Sequence, residues 1–184
     1  MTRKQIPVKP RKKYPSAELL QSSCYEDYMR LINTYDRIHD KINISLAFVG
    51  LIITVIIGNC DYTILQRIYS TKNSSELLVL ILYAVSSFFS AFFIVVSTVQ
   101  LLLLLRSKKV LVFDSRSIRN DEIYKWSNED AALWLIEKYT YIVNELKPII
   151  LDKQKKYDSA MTKAVIAVIA FAISEIIKKG LPTI

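Results

Sequence analysis

The longest apolar stretch of the chain runs from Leu77 to Leu105 and contains 29 residues without a charge. A helix of that length is about 44 Å long, whereas the hydrocarbon core of a bilayer is about 30 Å thick. A soluble domain of this size does not need such a run. We therefore predict a transmembrane helix over residues 77–105.

A second apolar stretch, 42–60, has 19 uncharged residues between Lys41 and Asp61. It predicts the first transmembrane helix, and Gly58 and Asn59 suit its end. Ahead of it, apolar residues recur every three or four positions from the potential N-cap Ser16 onwards, which places them on one side of a helix. This stripe predicts a stalk helix that continues into the span and faces other helices of an assembly; its members are Leu20, Cys24, Tyr28, Leu31, Tyr35, Ile38 and Ile42.

The region after Arg106 is charged and predicts soluble structure. Its β-branched run at 110–113 fits either a strand or a continuation of the second helix. Ser127 and Asp130 form a capping pattern ahead of a helix at about 129–147. Pro148 is expected to break that helix and start another, which ends near Lys178 and Lys179.

The last helix contains only eleven uncharged residues in a row, Ala164–Ser174, which is fewer than an ordinary span needs. We expect this segment to lie against its neighbours or to dip into the membrane. A third full span over about 164–177 is the alternative. It would place Lys178 and Lys179 outside, against the positive-inside rule.

The pattern as a whole predicts an all-α integral membrane protein. Its parts are a basic, proline-containing arm (1–15), a stalk helix plus two-span helical hairpin (16–105), and C-terminal cytosolic helices (106–184). Residues 1–41 carry nine basic residues and residues 106–163 carry twelve, whereas the connection 61–76 carries two. The positive-inside rule then places both termini in the cytoplasm.

The composition suggests one class of partner and excludes several kinds of functional site. The net charge of +8 and the pI near 9.4 suggest an anionic partner such as lipid headgroups or a nucleotide. With three glycines the chain has no glycine-rich phosphate loop, and a lone histidine, His39, cannot form a His-based metal site. Cys24 and Cys60 lie at opposite ends of the first long helix, so we expect no disulfide between them. Nothing in the sequence indicates an enzyme, and we expect no cofactor.

The long apolar run carries a polar stripe. At 100° per residue its polar side chains fall within about 100° of each other. Such a stripe either lines water or packs and hydrogen-bonds against a neighbouring helix. Because one hairpin cannot enclose water, a pore requires a homo-oligomer, a tetramer or larger. The candidate pore-lining residues are Tyr83, Ser86, Ser90 and Ser97, with Ser87 beside them.

A second candidate site combines basic and aromatic residues. Phosphates attract Lys and Arg, and nucleic-acid bases stack on aromatic rings. The candidate residues for binding a nucleotide or oligonucleotide ligand are Lys108, Lys109, Arg116, Arg119 and Trp126, with Arg106, Tyr124 and Trp134 nearby. For the residues next to the apolar run, flanking the membrane is an alternative explanation.

Two stretches are similar to a known layout. Residues 35–41 (YDRIHDK) lead directly into the apolar segment 42–57, and residues 141–144 (YIVN) and 148–157 (PIILDKQKKY) lead into the final apolar helix. This arrangement resembles the small two-helix membrane effectors of bacterial antiphage defence, including the SLATT class, Pycsar membrane effectors and the channel subunit of Hailong systems.

The resemblance implies an oligomeric pore in the bacterial inner membrane. Such a pore is gated by a nucleotide-derived signal from a partner nucleotidyltransferase and causes depolarisation and growth arrest. No separate cyclic-nucleotide domain fits in this chain, which leaves room for an oligonucleotide bound across subunits. Two alternatives remain: a non-conducting membrane anchor or scaffold for a cytosolic partner, and a holin-like pore without regulation.

Overall fold

The computed structural model describes residue 14 and residues 16–106, 112–113 and 125–181. These residues form four α-helices and no strand, which confirms the all-α prediction. The helices are α1 (Ala17–Asn59), α2 (Tyr62–Ser70), α3 (Ser74–Leu105) and α4 (Asn128–Gly180). Residues 112–113 belong to neither a helix nor a strand. The basic arm, apart from residue 14, and residues 110–111 lie outside the described residues.

Helix α1 is the predicted stalk and first apolar run in one piece of 43 residues. The predicted stripe is its buried side: Tyr28, Ile38 and Ile42 are buried, and Val49 and Ile56 extend the stripe into the apolar run. Leu20, at the start of the stripe, is half exposed. Ile38 is 3% exposed within a single chain, so packing inside the chain accounts for this position without contact to another subunit.

Helix α2 was not predicted, because the connection 61–76 was interpreted as polar. Asp61 caps the helix: its carboxylate accepts a hydrogen bond from the backbone N–H of Thr63. The apolar side of α2 buries Ile64 against Leu80 and Tyr83 of α3. The Arg67 guanidinium lies 3.0 Å from the Glu76 carboxylate and ties the two helices together at their polar side.

Helix α4 runs unbroken through Pro148, so the prediction that Pro148 ends one helix and starts another is wrong. A proline inside a helix removes one backbone hydrogen bond and crowds the preceding turn. Apolar residues at helical spacing, including the buried Ile142, Leu146 and Ile150, continue on both sides of it. Burial of these side chains keeps the segments before and after Pro148 helical.

Three helices, α1, α3 and α4, are long and apolar enough to cross a membrane, so the two-span hairpin is not confirmed. The uncharged run of α4 in the sequence begins only after Lys163. In the structure the Lys163 ammonium donates a hydrogen bond to the Gln100 side-chain carbonyl of α3, at 2.8 Å. With this lysine paired, residues 160–177 form an apolar helical segment about 27 Å long, close to the thickness of a bilayer core.

The chain divides into two compact units. The first, which we call the aromatic unit, comprises residues 1–33 and 110–148. Within its described residues, the core is formed by Tyr28, Tyr139 and Ile142, with Cys24, Ile32, Phe113, Leu135 and Val143 packed against them.

The second unit, which we call the bundle, comprises residues 34–109 and 149–184. Hydrogen bonds show its helix directions. Ser90 pairs with Ala167 and Ser97 with Ala160, so α3 and α4 are antiparallel. Ser45 pairs with Tyr157, and Asn59 with Lys178, so α1 and α4 are parallel. Small buried residues of α4, namely Ala160, Ala164 and Ala167, permit this close approach.

Candidate functional site

The polar stripe of α3 is the seam between α3 and α4. The Ser90 hydroxyl donates to the backbone carbonyl of Ala167 at 2.9 Å, and the Ser97 hydroxyl donates to that of Ala160 at 2.8 Å. Both serines are 0% exposed. The partner helix therefore satisfies both hydroxyls within the buried contact between the two helices.

The two other candidate pore-lining residues serve local structure. Tyr83 is buried, and its hydroxyl accepts a hydrogen bond from the backbone N–H of Asp61 at 3.4 Å, which holds the start of α2. Ser86 is half-buried and donates to the Tyr83 carbonyl in its own helix at 3.0 Å. Within one chain, the contacts of Ser90 and Ser97 with α4, and of Tyr83 with the start of α2, match the packing alternative rather than a water-lined face.

A cavity of about 160 Å³ lies beside this seam, at the end of the bundle where α1 ends. Its lining includes Ser87, Ser90, Ser174 and the Glu175 carboxylate, and Glu175 is the only charged residue among the lining residues. Among the described residues, none of the Lys and Arg side chains forms an ion pair with Glu175. An ionisable residue in an apolar helix usually faces a bundle interior or a water-filled cavity. We name this feature the outer cavity.

The outer cavity is not predicted from the sequence, although two of its residues stand out there: Ser87 on the polar stripe of α3, and Glu175 directly after the uncharged run of α4. Because the sequence predicts no full span in α4, it gives no reason to place Glu175 next to Ser87. The remaining lining residues are Ile56, Ile57, Asn59, Cys60, Tyr62, Tyr83, Ala91 and Phe171.

A larger pocket, of about 300 Å³, lies at the opposite end of the bundle. It has apolar walls from Leu103, Leu104 and Ile149, and a polar side with Arg106, Lys153, Lys156 and Asp152. Tyr35 and Gln100 complete the lining. It lies where the apolar run of α3 ends and the charged region begins at Arg106. We name it the inner pocket.

The exposed side of the apolar run of α1 carries bulky residues such as Ile44 and Leu51 and, beside them, one strip of small or polar residues. Five exposed residues recur at spacings of 4, 3, 4 and 4 and fall within about 80° of each other, opposite the buried stripe. Nothing lies within 4 Å of a Cβ atom added at Gly50 or Gly58. We name this strip the α1 open face; its residues are small or polar, whereas a lipid-facing helix usually carries bulky apolar side chains. It consists of Asn43, Ala47, Gly50, Thr54 and Gly58.

Of the predicted ligand residues, Trp126 is described by the structure, whereas Lys108, Lys109, Arg116 and Arg119 lie outside the described residues. Trp126 is 39% exposed and its ring meets that of Trp134 edge-on, with 6.2 Å between centroids. Trp134 in turn carries the Lys138 ammonium over its ring at 5.6 Å. One indole of the predicted basic and aromatic site is therefore accessible in the aromatic unit.

The aromatic residues of this unit pack mainly on each other. Tyr28 stacks on Tyr139 at 5.4 Å, and Phe113 contacts Tyr139 at 5.2 Å and Trp134 at 6.4 Å. The Phe113 backbone N–H also donates to the Tyr28 hydroxyl at 3.3 Å. Burial raises the pKa of Tyr139 above its ordinary value, because the phenolate loses hydration. These contacts are those of a core, whereas Trp126 is among the rings of this unit that stay exposed, with Tyr25 and Tyr141.

In the described part of the chain, no three His, Cys, Asp or Glu side chains are grouped closely enough to hold a metal ion. Both cysteines are free thiols. Comparisons with protein-family models, curated proteins and solved structures found no match.

Proposed function

We propose that this chain is the subunit of a homo-oligomeric ion channel of the bacterial inner membrane, and that it crosses the bilayer three times. The observation that carries the proposal is the outer cavity, a volume within apolar helices that is lined by Glu175 together with Ser87, Ser90 and Ser174. Serine oxygens and a carboxylate replace water around a cation, and rings of carboxylates are a common basis of cation selectivity.

The orientation follows from the basic residues. Nine of them precede the first apolar run, whereas the α1–α3 connection carries two. The N-terminal arm is therefore cytoplasmic and the connection outside. With three crossings the C-terminus is outside as well, which departs from the expectation that both termini are cytoplasmic. The cost of placing Lys178 and Lys179 outside is reduced because the Lys178 ammonium lies 3.7 Å from the Asp61 carboxylate.

Oligomerisation is supported by the α1 open face. Small residues at membrane helix interfaces let backbones approach closely, and the hydroxyl and amide groups of Thr54 and Asn43 suit a helix contact or water better than lipid. Ser90 and Ser97 contact α4, and Tyr83 packs beside α2, all within one chain. The α1 open face therefore replaces them as the candidate surface between subunits and along a conduit.

The biological role proposed is antiphage defence, in which opening of the channel depolarises the membrane and arrests growth. Its support is the resemblance to small membrane effectors together with the net charge of +8. The proposed signal is a nucleotide or oligonucleotide made by a partner nucleotidyltransferase. The candidate contacts for it remain Lys108, Lys109, Arg116, Arg119 and Trp126.

A second candidate function is a non-conducting membrane anchor or scaffold for a cytosolic partner. It is favoured by the α3–α4 seam, where Ser90 and Ser97 of the polar stripe are used for packing inside one chain. The two functions differ in ion conduction.

The deciding experiment reconstitutes the full chain in liposomes and measures cation efflux with an entrapped dye. A channel gives efflux above protein-free liposomes, and Glu175→Gln lowers the preference for cations over anions. Glu145→Gln, a change of the same type at an exposed position of the aromatic unit, serves as the matched control and leaves selectivity unchanged. Absence of efflux with and without candidate nucleotides favours the scaffold. Efflux with unaltered selectivity in Glu175→Gln removes the outer cavity from the conduction path.

A further inference from the structure

The inner pocket lies at the depth where the apolar part of the bundle ends. Leu103 and Leu104, from the last turn of α3, form its apolar wall together with Ile149 of α4. Arg106, the first charged residue after the 77–105 run, lines the same pocket. In a bilayer this position corresponds to the boundary between acyl chains and headgroups on the cytoplasmic side.

The polar side of the pocket has an excess of positive charge, with the three cations Arg106, Lys153 and Lys156 against the single carboxylate of Asp152. Lys153 is only 8% exposed, and its ammonium lies 4.5 Å from the centre of the Tyr35 ring. Lysine is rarely buried to this extent unless other groups compensate its charge. The ring holds this ammonium at the pocket by a cation–π contact.

The Lys156 ammonium lies 2.8 Å from the Asp152 carboxylate, one helical turn away on α4. This pair is half exposed, so it stabilises the helix only slightly and leaves the lysine able to contact a second anion. Arg106 is exposed at the C-terminal end of α3. Two of the three cations therefore reach solvent at the rim, while Lys153 forms the base of the charged side.

We propose that the inner pocket binds the phosphate of an anionic phospholipid of the cytoplasmic leaflet. The phosphate and headgroup contact Lys153, Lys156 and Arg106, and an acyl chain lies along Leu103, Leu104 and Ile149. Phosphate oxygens accept charge-assisted hydrogen bonds from Lys and Arg, and an acyl chain matches apolar walls that continue the surface of a membrane helix.

The same cations fit the phosphate of a soluble nucleotide, so the walls decide between the two sources. A nucleobase gains most of its binding by stacking on an aromatic face. Tyr35 is the one aromatic residue that lines the pocket, and the Lys153 ammonium covers its ring. The other walls are aliphatic, which suits a lipid tail and offers a base no stacking surface.

The test uses the full chain, purified and delipidated in detergent, and follows its thermal unfolding during titration with phosphatidylglycerol, phosphatidylcholine or ATP. A ligand that binds the folded state raises the unfolding temperature, and the rise grows with the logarithm of the ratio of ligand concentration to Kd. We expect phosphatidylglycerol to stabilise the wild-type chain at lower concentration than phosphatidylcholine. Any stabilisation by ATP should be the same in the wild type and in Lys156→Glu, because ATP does not occupy this pocket.

Three variants locate the effect. Lys156→Glu and Lys153→Met should each weaken phosphatidylglycerol binding by roughly tenfold, the usual effect of losing one charge-assisted contact. Lys155→Glu makes the same charge change at an exposed neighbour that does not line the pocket, and it should bind as the wild type does. Because Lys153 is buried, Lys156→Glu decides the matter if Lys153→Met fails to fold.

Two results overturn the proposal. One is equal stabilisation by the two lipids, or an equal loss of binding in Lys155→Glu and Lys156→Glu. The other is ATP binding that phosphatidylglycerol does not displace and that Lys156→Glu abolishes, which identifies a nucleotide pocket. Since the readout is lipid binding and not ion flux, the outcome is independent of whether the chain conducts.

Discussion

The Lys178 ammonium lies 3.7 Å from the Asp61 carboxylate and donates a hydrogen bond to the Asn59 carbonyl at 3.1 Å. The end of α4 is therefore beside the connection that follows α1. The proposed third crossing agrees with these contacts: if α1 and α3 both span the membrane, the end of α4 lies on the same side as the end of α1. The two-span arrangement, in which the C-terminus is cytoplasmic, places these residues on opposite sides.

The first prediction concerns this topology. In a chain with Cys24→Ser and Cys60→Ser, a cysteine introduced by Lys179→Cys should react with an impermeant thiol reagent in intact spheroplasts. The physical reason is that Lys179 follows Lys178, which lies beside Asp61 on the proposed outer side. Labelling is measured by the mass shift of the purified chain.

Two single-cysteine chains calibrate the topology experiment. A chain with only Cys60 should react in intact spheroplasts, and a chain with only Cys24 should react only after lysis. If Lys179→Cys behaves like Cys24 while Cys60 is labelled, α4 does not cross the membrane, and the two-span arrangement is restored.

Much of the bundle could be predicted from the sequence because long uncharged runs have few alternatives. The α1 stripe and the two first apolar helices are examples. The length of the apolar segment in α4 was predicted too short, because the uncharged run begins only after Lys163. In the structure Lys163 is hydrogen-bonded to Gln100 and lies within the contact between α3 and α4. The predicted helix break at Pro148 rested on the local effect of proline, whereas buried residues on both sides of it keep α4 continuous.

The candidate site could be predicted only in part. The polar stripe of α3 was found from spacing, but spacing does not show whether water or a helix faces it. Its partner is a set of backbone carbonyls of Ala160 and Ala167, and no side-chain pattern reveals such acceptors. The inner pocket combines Tyr35, Arg106 and Lys153 from three helices, a combination that requires knowledge of how they pack.

The second prediction concerns the seam between α3 and α4. Ser90→Leu should destabilise the chain by about 1–3 kcal/mol, because a larger side chain enters a site that is fully buried. Ser90→Ala should cost only about 0.6 kcal/mol, the usual value of a hydrogen bond between membrane helices. Unfolding in detergent, monitored by circular dichroism, provides the measurement.

Ser86→Ala is the control for the seam, since the Ser86 hydroxyl bonds within its own helix and its loss should have little effect on stability. A Ser90→Cys chain without the two native cysteines should resist water-borne thiol reagents. If that cysteine is modified and ion flux is lost, this face lines water in the assembly, which is the outcome that the pore-lining prediction requires.

The third prediction concerns the α1 open face. Gly50→Leu should lower the mass of the oligomer in detergent and reduce ion flux. Nothing lies near a Cβ atom at Gly50 within one chain, and leucine favours a helix more than glycine does. The monomer fold should therefore tolerate the change, so any loss of assembly must arise at contacts between chains. Light scattering after size-exclusion chromatography measures the mass.

Ala172→Leu provides the matched control, because Ala172 is an exposed small residue in the apolar part of α4. It should leave oligomer mass and flux unchanged. An unchanged mass in Gly50→Leu contradicts the assignment of the α1 open face to a subunit interface, and equal losses in both variants indicate a general effect of bulk at the lipid surface.

The last prediction concerns pH and the junction of α1, α2 and α4. The Asp61 carboxylate accepts hydrogen bonds from the hydroxyl and the backbone N–H of Thr63, at 2.6 and 3.1 Å, and lies near the Lys178 ammonium. The hydrogen bond from the Thr63 hydroxyl is the main cause that lowers the pKa of Asp61 below its ordinary value of 3.8, and Lys178 contributes to the same shift. A lowered folded-state pKa means that the charged carboxylate stabilises the folded chain above pH 3.8. This contribution is lost as the pH falls through the folded-state pKa.

Asp61→Asn keeps a side chain that can cap α2 but has no charge for Lys178. We therefore expect the wild type to unfold at a higher temperature than Asp61→Asn at pH 7, and this difference should vanish as the pH is lowered from about 4 towards 2. Asp158→Asn, a change of the same kind at an exposed position of α4, should show a smaller difference at pH 7. A difference at Asp61 that persists unchanged at pH 2, or is absent at pH 7, excludes the charged junction as a stabilising contact.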